Sequence, residues 1–353
     1  MKKKLILLFG VLFLTGTSTT LAQFSDIGDV LRAGAEDAEK VTRAYLKPIP
    51  SGLGADINSG WTTSAEPHST LGFDIQVRGA LSFIPGDDQS FDLNDLNLEK
   101  IKPADPSNTI SPTVGGNDEL GPEVIVEDDG NEVARFNLPE GTGYSFVPAP
   151  MVQAGVGIVR DTDLIVRYVP EISIGSDGNF NMSGFGLKHG INQWLPGGNL
   201  LPVNLSVLAG YTNINLDMNF DLEPEPGAIP NPENPDAATA DFDNQQGNVN
   251  INTFTIKALA GKDLPFISFY GGVGYETSAF NMDVTGEYPV SMEVNGIQGY
   301  DVIEDPFSYS ENGQNSFSLI GGVTFKMAFF HIFGEFNVSK YSTANAGLSF
   351  SFR

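Results

Sequence analysis

The sequence predicts an all-β protein: a transmembrane, antiparallel, up-and-down β-barrel with an amphipathic helix ahead of it. Three observations predict this class: a strict alternation of apolar and polar residues, an export signal, and long loops in alternate connections. The alternation is clearest in LGFDIQVRGALSF, residues 71–83, where the odd positions are apolar apart from Gly79. A period of two is typical of a strand with one apolar and one polar face.

Residues 1–22 have the pattern of a secretory signal peptide. The basic MKKK start is followed by a short apolar run and by a small, hydroxylated stretch that ends at Ala22. That run is too short to span a bilayer, and no later window is apolar over 18 residues. An exported chain of this kind is periplasmic, secreted or an outer-membrane barrel.

Composition excludes several classes of site. The chain of 353 residues has no cysteine, which excludes disulfide scaffolds and thiolate metal sites. It has 44 acidic and 19 basic residues, for a net charge of −25. Nucleic acid is therefore not an expected partner, because binding to phosphates requires basic residues.

Residues 23–50 are predicted to form an N-terminal helix, with helical spacing over 25–47 and Pro48 as its stop. Its apolar face consists of Ile27, Val30, Leu31, Val41 and Tyr45. A barrel of about 12 strands has a lumen too wide for its wall side chains to fill alone. We therefore expect the helix to lie in or under the lumen, as a possible plug.

Residues 51–353 are predicted to form the barrel. Eleven segments alternate in the manner of strands: 55–62, 71–83, 152–158, 163–169, 179–191, 203–220, 254–260, 267–275, 317–327, 330–338 and 344–352. A closed antiparallel barrel needs an even number. Either 55–62 lies in the lumen beside the helix, which leaves ten strands, or a strand is missing, with 288–294 and part of 122–138 as candidates. We predict about 12 strands, within a range of about 10 to 14.

One strand changes phase along its length. The apolar positions of 203–211 are odd, whereas those of 214–220 are even. Such a flip indicates either a β-bulge or a change in the surroundings of the strand.

The three long connections, 85–146, 221–248 and 283–315, all fall in alternate gaps between strands. Bacterial outer-membrane barrels have short periplasmic turns and long outer loops, so these loops are expected outside the cell. The first two are strongly acidic and are expected to be solvated, although apolar residues in the first suggest a small folded cap.

Charged residues of the well-patterned strands share the polar phase. A lipid-facing charge costs about 2–4 kcal/mol at mid-membrane, so this sorting favours a membrane wall. The core of a soluble β-sandwich would reject charge as well. The lumen-lining candidates are Asp74, Arg78, Arg167, Lys257, Glu276, Lys326 and Glu335. The aromatic residues expected at the membrane interface are Trp61, Trp194, Tyr168, Tyr211, Tyr275 and Tyr341.

Several segments, AYLKP (44–48), PHSTLGFD (67–74), KHGINQWLPGGN (188–199), LPVNLSVLAGYT (201–212) and AGLSFSFR (346–353), have a familiar appearance. Together they resemble an uncharacterised outer-membrane β-barrel family, a domain of unknown function, of Bacteroidota-like Gram-negative bacteria. The resemblance covers most of the mature chain and implies fold and location, with no catalytic motif. A helix ahead of a barrel is also loosely similar to the arrangement in fatty-acid transporter barrels.

No common catalytic motif is present, and the three histidines are scattered. We therefore expect neither an enzyme nor a cofactor or metal site. The expected function is a channel or transporter for a small, hydrophobic molecule. The alternative is a non-transporting surface-display or assembly barrel that acts through its acidic loops. The expected partners are outer-membrane lipid, the barrel-assembly machinery and a small apolar ligand, in the outer membrane of a Gram-negative bacterium.

Overall fold

A computed structural model of the protein describes residues 30–128, 130–173 and 178–352. Its helices and strands in chain order are α1 (Ala35–Leu46), α2 (Pro48–Asn58), β1 (Phe73–Phe83), β2 (Ser90–Asp92), β3 (Ile101–Pro103), β4 (Ile110–Pro112), β5 (Glu123–Asp128), β6 (Asn131–Asn137), β7 (Phe146–Gly157), β8 (Thr162–Ser173), β9 (Gly178–Gly190), β10 (Asn204–Asn219), β11 (Ile229–Pro230), β12 (Gln246–Asp263), β13 (Ile267–Thr285), β14 (Glu287–Val294), β15 (Ile297–Glu304), β16 (Phe307–Met327), β17 (Phe330–Val338) and β18 (Thr343–Phe352).

Ten of these strands form a closed antiparallel barrel in the order β1-β18-β17-β16-β13-β12-β10-β9-β8-β7. Each barrel strand pairs with the next one along the chain, and β1 pairs with β18 to close the wall. At this seam Phe73 faces Phe352 and Ser82 faces Thr343. The prediction of an all-β, up-and-down barrel is therefore confirmed.

Within the described residues the barrel has ten strands, so the preferred count of 12 is wrong. Ten lies within the predicted range and is the count of the alternative in which 55–62 lies in the lumen. Ten of the eleven predicted segments coincide with barrel strands, whereas 55–62 contains the end of helix α2. Residues of 55–62 are buried all round, so their alternation does not mark one buried and one exposed face. The candidates 288–294 and 122–138 do contain strands, but β14 and β5–β6 belong to small sheets outside the barrel.

The connections segregate by length between the two ends of the barrel. Residues 84–145, 220–245 and 286–306 connect strands at one end, which we call the long-loop end. Residues 158–161, 191–203, 264–266 and 328–329 connect strands at the other, the short-turn end. This arrangement matches the one that the loop lengths predict.

The long loops fold into three small sheets, ordered β2-β4, β3-β5-β6 and β11-β15-β14. Their apolar residues share one hydrophobic core with α1, in which Val41 and Tyr45 join Val124 and Val126. We call α1 together with these three loops the head. The small cap suggested for the first loop is thus present, and it is part of a larger folded unit.

Helix α1 is shorter than the predicted helix over 25–47. Gly34 has a φ of +94°, a conformation that favours glycine and that separates α1 from the helical residues Val30 and Leu31. Residues 25–29 lie outside the described part of the chain. The prediction that Pro48 stops the helical segment is wrong. Pro48 is instead the first residue of α2, because proline is favoured in the first turn of a helix.

Helix α2 lies inside the barrel, where it contacts β1, β7, β10, β12, β13, β16 and β18. The chain then runs to the short-turn end, where Asn204 Nδ2 donates to Glu66 Oε2 at 2.7 Å. It turns there into β1. The N-terminal segment therefore passes along the lumen from the long-loop end to the short-turn end.

The phase flip in 203–220 results from a change of surroundings. The pairing of β10 with β9 and β12 is continuous through the flip, from Ser206 to Met218, without a bulge. On the short-turn side of the flip, here called below it, outward residues such as Val207 and Tyr211 are apolar and exposed. Above it, outward residues are polar, while Ile214 and Met218 point inward and are buried.

The same inversion occurs on four neighbouring strands, β9, β12, β13 and β16, which extend toward the long-loop end. On all five strands the outward apolar run ends at an aromatic residue: Phe185, Tyr211, Phe254, Tyr275 and Phe317. At the short-turn end the outer wall carries a second aromatic group, in which the ring of Phe73 lies 6.4 Å from Phe350 and 6.0 Å from Phe352. The outer apolar band is thus bounded by aromatic residues at both ends.

Candidate functional site: the occupied lumen

The deepest contact between the N-terminal segment and the barrel is made by Trp61, which is buried. Two wall positions against its indole are glycines: a Cβ on Gly210 would come within 2.5 Å of the ring, and one on Gly186 within 2.7 Å. The guanidinium carbon of Arg167 lies 3.8 Å from the ring centre, a cation–π contact. The glycines therefore admit the large side chain, and Arg167 holds it.

Arg167 also binds the end of helix α2. It donates hydrogen bonds to the carbonyl oxygens of Ile57 and, at 2.8 Å, of Ser59. Its Nε donates to Gln153 Oε1 at 2.8 Å. The last carbonyls of a helix lack partners within the helix and carry partial negative charge, so a buried cation is favourable there.

A second polar group fixes the chain just after α2. Glu335 accepts hydrogen bonds from the backbone N–H of Gly60 at 2.7 Å and from the hydroxyl of Tyr270 at 2.7 Å. Gly60 has a φ of +64°, and a Cβ there would clash with the side chains of Arg78 and Asn345. Only glycine fits this position, because both the conformation and the space exclude a side chain.

The segment is held a third time near the short-turn end. Lys188 is buried, forms an ion pair with Asp163 at 2.9 Å, and donates to the carbonyl oxygens of Ser64 at 3.2 Å and Glu66 at 3.0 Å. Asp163 also accepts the backbone N–H of His68 at 2.8 Å. These bonds connect the exit of the N-terminal segment to strands β8 and β9.

The structure places all seven lumen-lining candidates on the inner face of the barrel. Arg167 and Glu335 bind the N-terminal segment, as described above. Arg78 and Asp74 are each hydrogen-bonded to Gln76 on β1. The other three pair along the wall: Lys257 with Glu276 at 3.3 Å, and Lys326 with Asp263 at 2.8 Å.

Sequence reasoning missed Gln153, Lys188 and Tyr270 of this site, and it assigned Trp61 to the membrane interface, although the alternative with 55–62 in the lumen includes Trp61. Lys188 shares its phase with Gly184, Gly186 and Gly190, a run of small residues that could have marked the inner face. Tyr270 and Trp61 were not identifiable from the pattern, because an aromatic residue suits either face.

The predicted plug face of the N-terminal helix lies in the core of the head. Val30, Leu31, Val41 and Tyr45 are all buried there, and the Tyr45 hydroxyl donates to the carbonyl oxygen of Glu140 at 2.9 Å. Ile27 lies outside the described residues. Within the described chain, the helix inside the barrel is α2 rather than α1.

Four of the six predicted interfacial aromatics do lie on the outer face, since Trp194, Tyr168, Tyr211 and Tyr275 are 64%, 61%, 46% and 38% exposed. The prediction is wrong for Trp61 and Tyr341, which are buried. Trp61 belongs to the lumen segment. The Tyr341 hydroxyl donates to Asp88 at 2.7 Å beneath the head.

Asp88 joins the head to the junction of the two helices. Lys47, between α1 and α2, lies 2.8 Å from Asp88, and Lys340 lies 3.6 Å from it. Burial on its own would raise the pKa of Asp88, but the hydrogen bonds from Lys47 and Tyr341 and the charge of Lys340 hold the pKa below its ordinary value. The carboxylate is therefore stabilised in its charged form.

The described residues contain no group of three or more His, Cys, Asp or Glu side chains that could hold a metal ion. None of the helices in that part of the chain is long and apolar enough to cross a bilayer. Open hollows occur on the head, such as one of about 450 Å³ beside Gln89, Ile110 and Leu120.

Strand pairing and the contacts of α2 define the class: a closed antiparallel β-barrel whose lumen is occupied by its own N-terminal segment. The chain belongs to DUF6588, a family of unknown function, whose model matches residues 1–352. No curated protein matches the chain.

Solved structures with some likeness are themselves barrels or parts of them. The chain is 10% identical to Ail, the attachment invasion locus protein of Yersinia pestis, over 80% of this chain and 100% of that one, with a TM-score of 0.27. For the translocator domain of the autotransporter NalP from Neisseria meningitidis, identity is 9%, coverage 89% and 98%, and TM-score 0.28. The chain is also 10% identical to the Ralstonia pickettii toluene transporter TbuX, over 84% of this chain and 92% of that one, with a TM-score of 0.21. These scores are low, and the architecture rests on the strand pairing of the chain itself.

Removing the lumen tryptophan should destabilise the protein strongly. We expect Trp61→Ala to lower the free energy of unfolding by about 3–5 kcal/mol, because it leaves a cavity between Arg167 and the glycine wall. The measurement is denaturant unfolding in lipid vesicles. Trp194→Ala, at a tryptophan that is 64% exposed and donates a hydrogen bond to His189 Nε2 at 2.8 Å, is the control and should change it by about 1 kcal/mol. Equal effects of the two substitutions would contradict this account of the lumen.

The contacts of Asp88 should make stability depend on pH. A carboxylate whose pKa is lowered on folding stabilises the protein above the unfolded value of 3.8, and the gain is lost as the pH falls through the lower folded value. We expect the unfolding midpoint of the wild type to fall more steeply between about pH 5 and pH 2 than that of Asp88→Asn. The control is Asp95→Asn, at an exposed position of the same loop. If Asp88→Asn keeps the wild-type slope, the assignment is wrong.

Proposed function

We propose that this protein is an outer-membrane β-barrel that is sealed by its own N-terminal segment and displays its head at the cell surface. The observation that carries the proposal is that the lumen segment is held at both ends. Helix α1 belongs to the folded head at the long-loop end, and residue 72 continues directly into β1 from the short-turn end.

The outer face of the barrel supports a place in a membrane. Strand β1 has eleven residues, and every second one faces outward and is exposed. Apart from Gly79 these outward residues are large and apolar: Phe73, Ile75, Val77, Leu81 and Phe83. Such a strand is about 33 Å long, and a tilt of about 40° reduces this to about 25 Å. That height and the aromatic residues at both edges are typical of outer-membrane barrels.

The anchoring of α1 in the head opposes any sliding of the segment. The buried carboxylate of Asp37 accepts backbone N–H groups of Glu99, Lys100 and Ile101 at 2.8–3.1 Å. Arg32 donates to the carbonyl oxygen of Glu223 at 3.0 Å in another loop. Withdrawal of the segment toward the short-turn end would break these bonds, and the opposite movement is blocked by the connection to β1.

The direction of the segment has a consequence for topology. Residues 30–34 lie among the long loops: the N–H of Ser291, on β14, donates to the carbonyl oxygen of Arg32 at 2.9 Å. If the long loops are outside the cell, as in other barrels with one long-loop end, residues 30–34 lie on the outer side as well.

Transport of a small apolar molecule is the second candidate, and one observation favours it. The inner wall at the long-loop end carries four buried methionines, Met151, Met182, Met218 and Met282. Methionine is flexible and can pack around varied apolar ligands. Such a ligand would have to replace α1 or α2 among these side chains, so this function requires the N-terminal segment to move.

Charge on the outer wall tests the membrane location. We expect Val77→Arg, in the middle of the apolar band, to lower the free energy of unfolding in vesicles by about 2–4 kcal/mol. Ser183→Arg, outward but beyond the aromatic edge at Phe185, is the matched control and should cost about 0–1 kcal/mol. A soluble protein would show no such difference, and equal effects would overturn the location.

A disulfide across the lumen distinguishes the two functions. The chain has no cysteine, and Asn345 Nδ2 lies 3.3 Å from Ser59 Oγ, so Ser59→Cys with Asn345→Cys can lock the segment to the wall. A sealed barrel shows no steady conductance in planar bilayers, whether the bond is oxidised or reduced. An epitope placed after Gln23 should also be accessible on intact cells.

Two results would overturn the sealed, head-out proposal. One is steady conductance or solute uptake that the oxidised bond abolishes and reduction restores, which would support transport. The other is an epitope that antibodies reach only after the outer membrane is opened. Ser59→Cys alone is the control for the substitution itself.

A further inference from the structure

The outer face of the five tall strands has an unusual composition above the aromatic edge. Outward positions there are dominated by asparagine: Asn179, Asn181, Asn213, Asn215, Asn248, Asn250, Asn252, Asn281, Asn312 and Asn315. Asparagine is disfavoured in strands, so a merely solvated surface would be expected to carry threonine or charged residues instead. We call this surface the asparagine face.

Four of these amides form a closed hydrogen-bonded ring across β10 and β12. Asn213 donates to Asn252 at 3.0 Å, Asn252 to Asn250 at 2.6 Å, Asn250 to Asn215 at 2.7 Å, and Asn215 to Asn213 at 3.0 Å. Each side-chain amide has two N–H donors and an oxygen with two lone pairs. The ring therefore fixes the orientation of the amides and leaves donors and acceptors for an external group.

The charges of the face select the kind of ligand. Its described outward positions include the carboxylates Asp217 and Asp283 and no lysine or arginine. A phosphate group would be repelled, because recognition of phosphate relies on basic side chains or helix N-termini. Neutral hydroxyl groups both donate and accept hydrogen bonds, and they match a fixed array of amides.

The position of the face identifies the source of such hydroxyls. Asn213 and Asn215 lie two and four residues beyond Tyr211, which is about 7 and 13 Å along the strand. The Tyr211 hydroxyl donates to Asn252 Oδ1 at 2.5 Å, so the asparagine face is continuous with the aromatic edge. In a membrane this level is the headgroup layer of the outer leaflet.

We propose that the asparagine face binds the neutral sugar residues of outer-leaflet glycolipid headgroups. This inference rests on the proposed membrane location with the head outward. The amide ring and its neighbours hydrogen-bond sugar hydroxyls, while the acyl chains of the same lipid contact the apolar band below. The protein thereby holds a lipid shell on the side formed by β9, β10, β12, β13 and β16.

The test uses the full-length protein in nanodiscs of phosphatidylcholine with one-tenth lipopolysaccharide that carries core sugars. Native mass spectrometry measures the glycolipid that stays bound after partial delipidation. The test variant combines four substitutions: Asn213→Thr, Asn215→Thr, Asn250→Thr and Asn252→Thr. We expect it to retain at least about tenfold less glycolipid, which corresponds to about 1.4 kcal/mol. Threonine suits strands, which preserves folding. The control combines Asn94→Ala, Asn108→Ala and Asn117→Ala, at exposed positions of the head.

Three outcomes would overturn the inference: unchanged retention in the threonine variant, equal loss in the control, or retention that high salt or a divalent-cation chelator abolishes. The last would indicate that phosphate groups, and not sugars, are bound, since exposed charge interactions are screened by salt. Failure of the proposed location is a separate result, because wild-type protein would then not enter nanodiscs at all.

Discussion

Occupation of the lumen is the constraint on which the rest of this structure depends. A ten-stranded wall encloses more space than its own inward side chains fill, and α2 with the chain up to Thr62 takes up that space. The wall is shaped to this content: Gly186 and Gly210 give room to Trp61, and the buried Arg167 binds the carbonyl groups at the C-terminal end of α2. Arg167, Glu335 and Lys188 hydrogen-bond the backbone of this segment, which offsets part of the cost of burying its polar groups.

The five tall strands pass through two environments, and their faces exchange roles at the boundary. In the apolar band the outer face of these strands is apolar and the inner face is polar. Beyond Tyr211 the inner face joins the hydrophobic core of the head. The pairing of β10 with β12 continues without a break across this boundary, whereas the pairing of β13 with β16 has a register shift between Thr277 and Ala279. One sheet therefore continues from the barrel wall into the folded head, so no linker separates the two.

Strands whose two faces keep the same surroundings along their whole length were predictable from the sequence. Segments whose surroundings change, or that are buried on every side, were not. Residues 71–83 face the same two surroundings throughout, and their strand was identified in full. In 203–220 the flip was visible, but its cause was not, because a bulge and a change of surroundings give the same pattern. For segment 55–62 the sequence left a strand and a place in the lumen open, since burial on every side removes the contrast that periodicity needs. Trp61 and Tyr341 were assigned to the membrane interface because sequence gives no direction to an aromatic ring.

The seam between β1 and β18 joins residues that lie far apart along the sequence, with Phe73 opposite Phe352. Closure of the wall must therefore wait for the last strand, and such distant pairings form slowly. Helix α1 is packed in the folded head at one end of the lumen, and the chain continues into β1 at the other. We therefore expect the strands to close around α2, rather than α2 to enter a finished barrel.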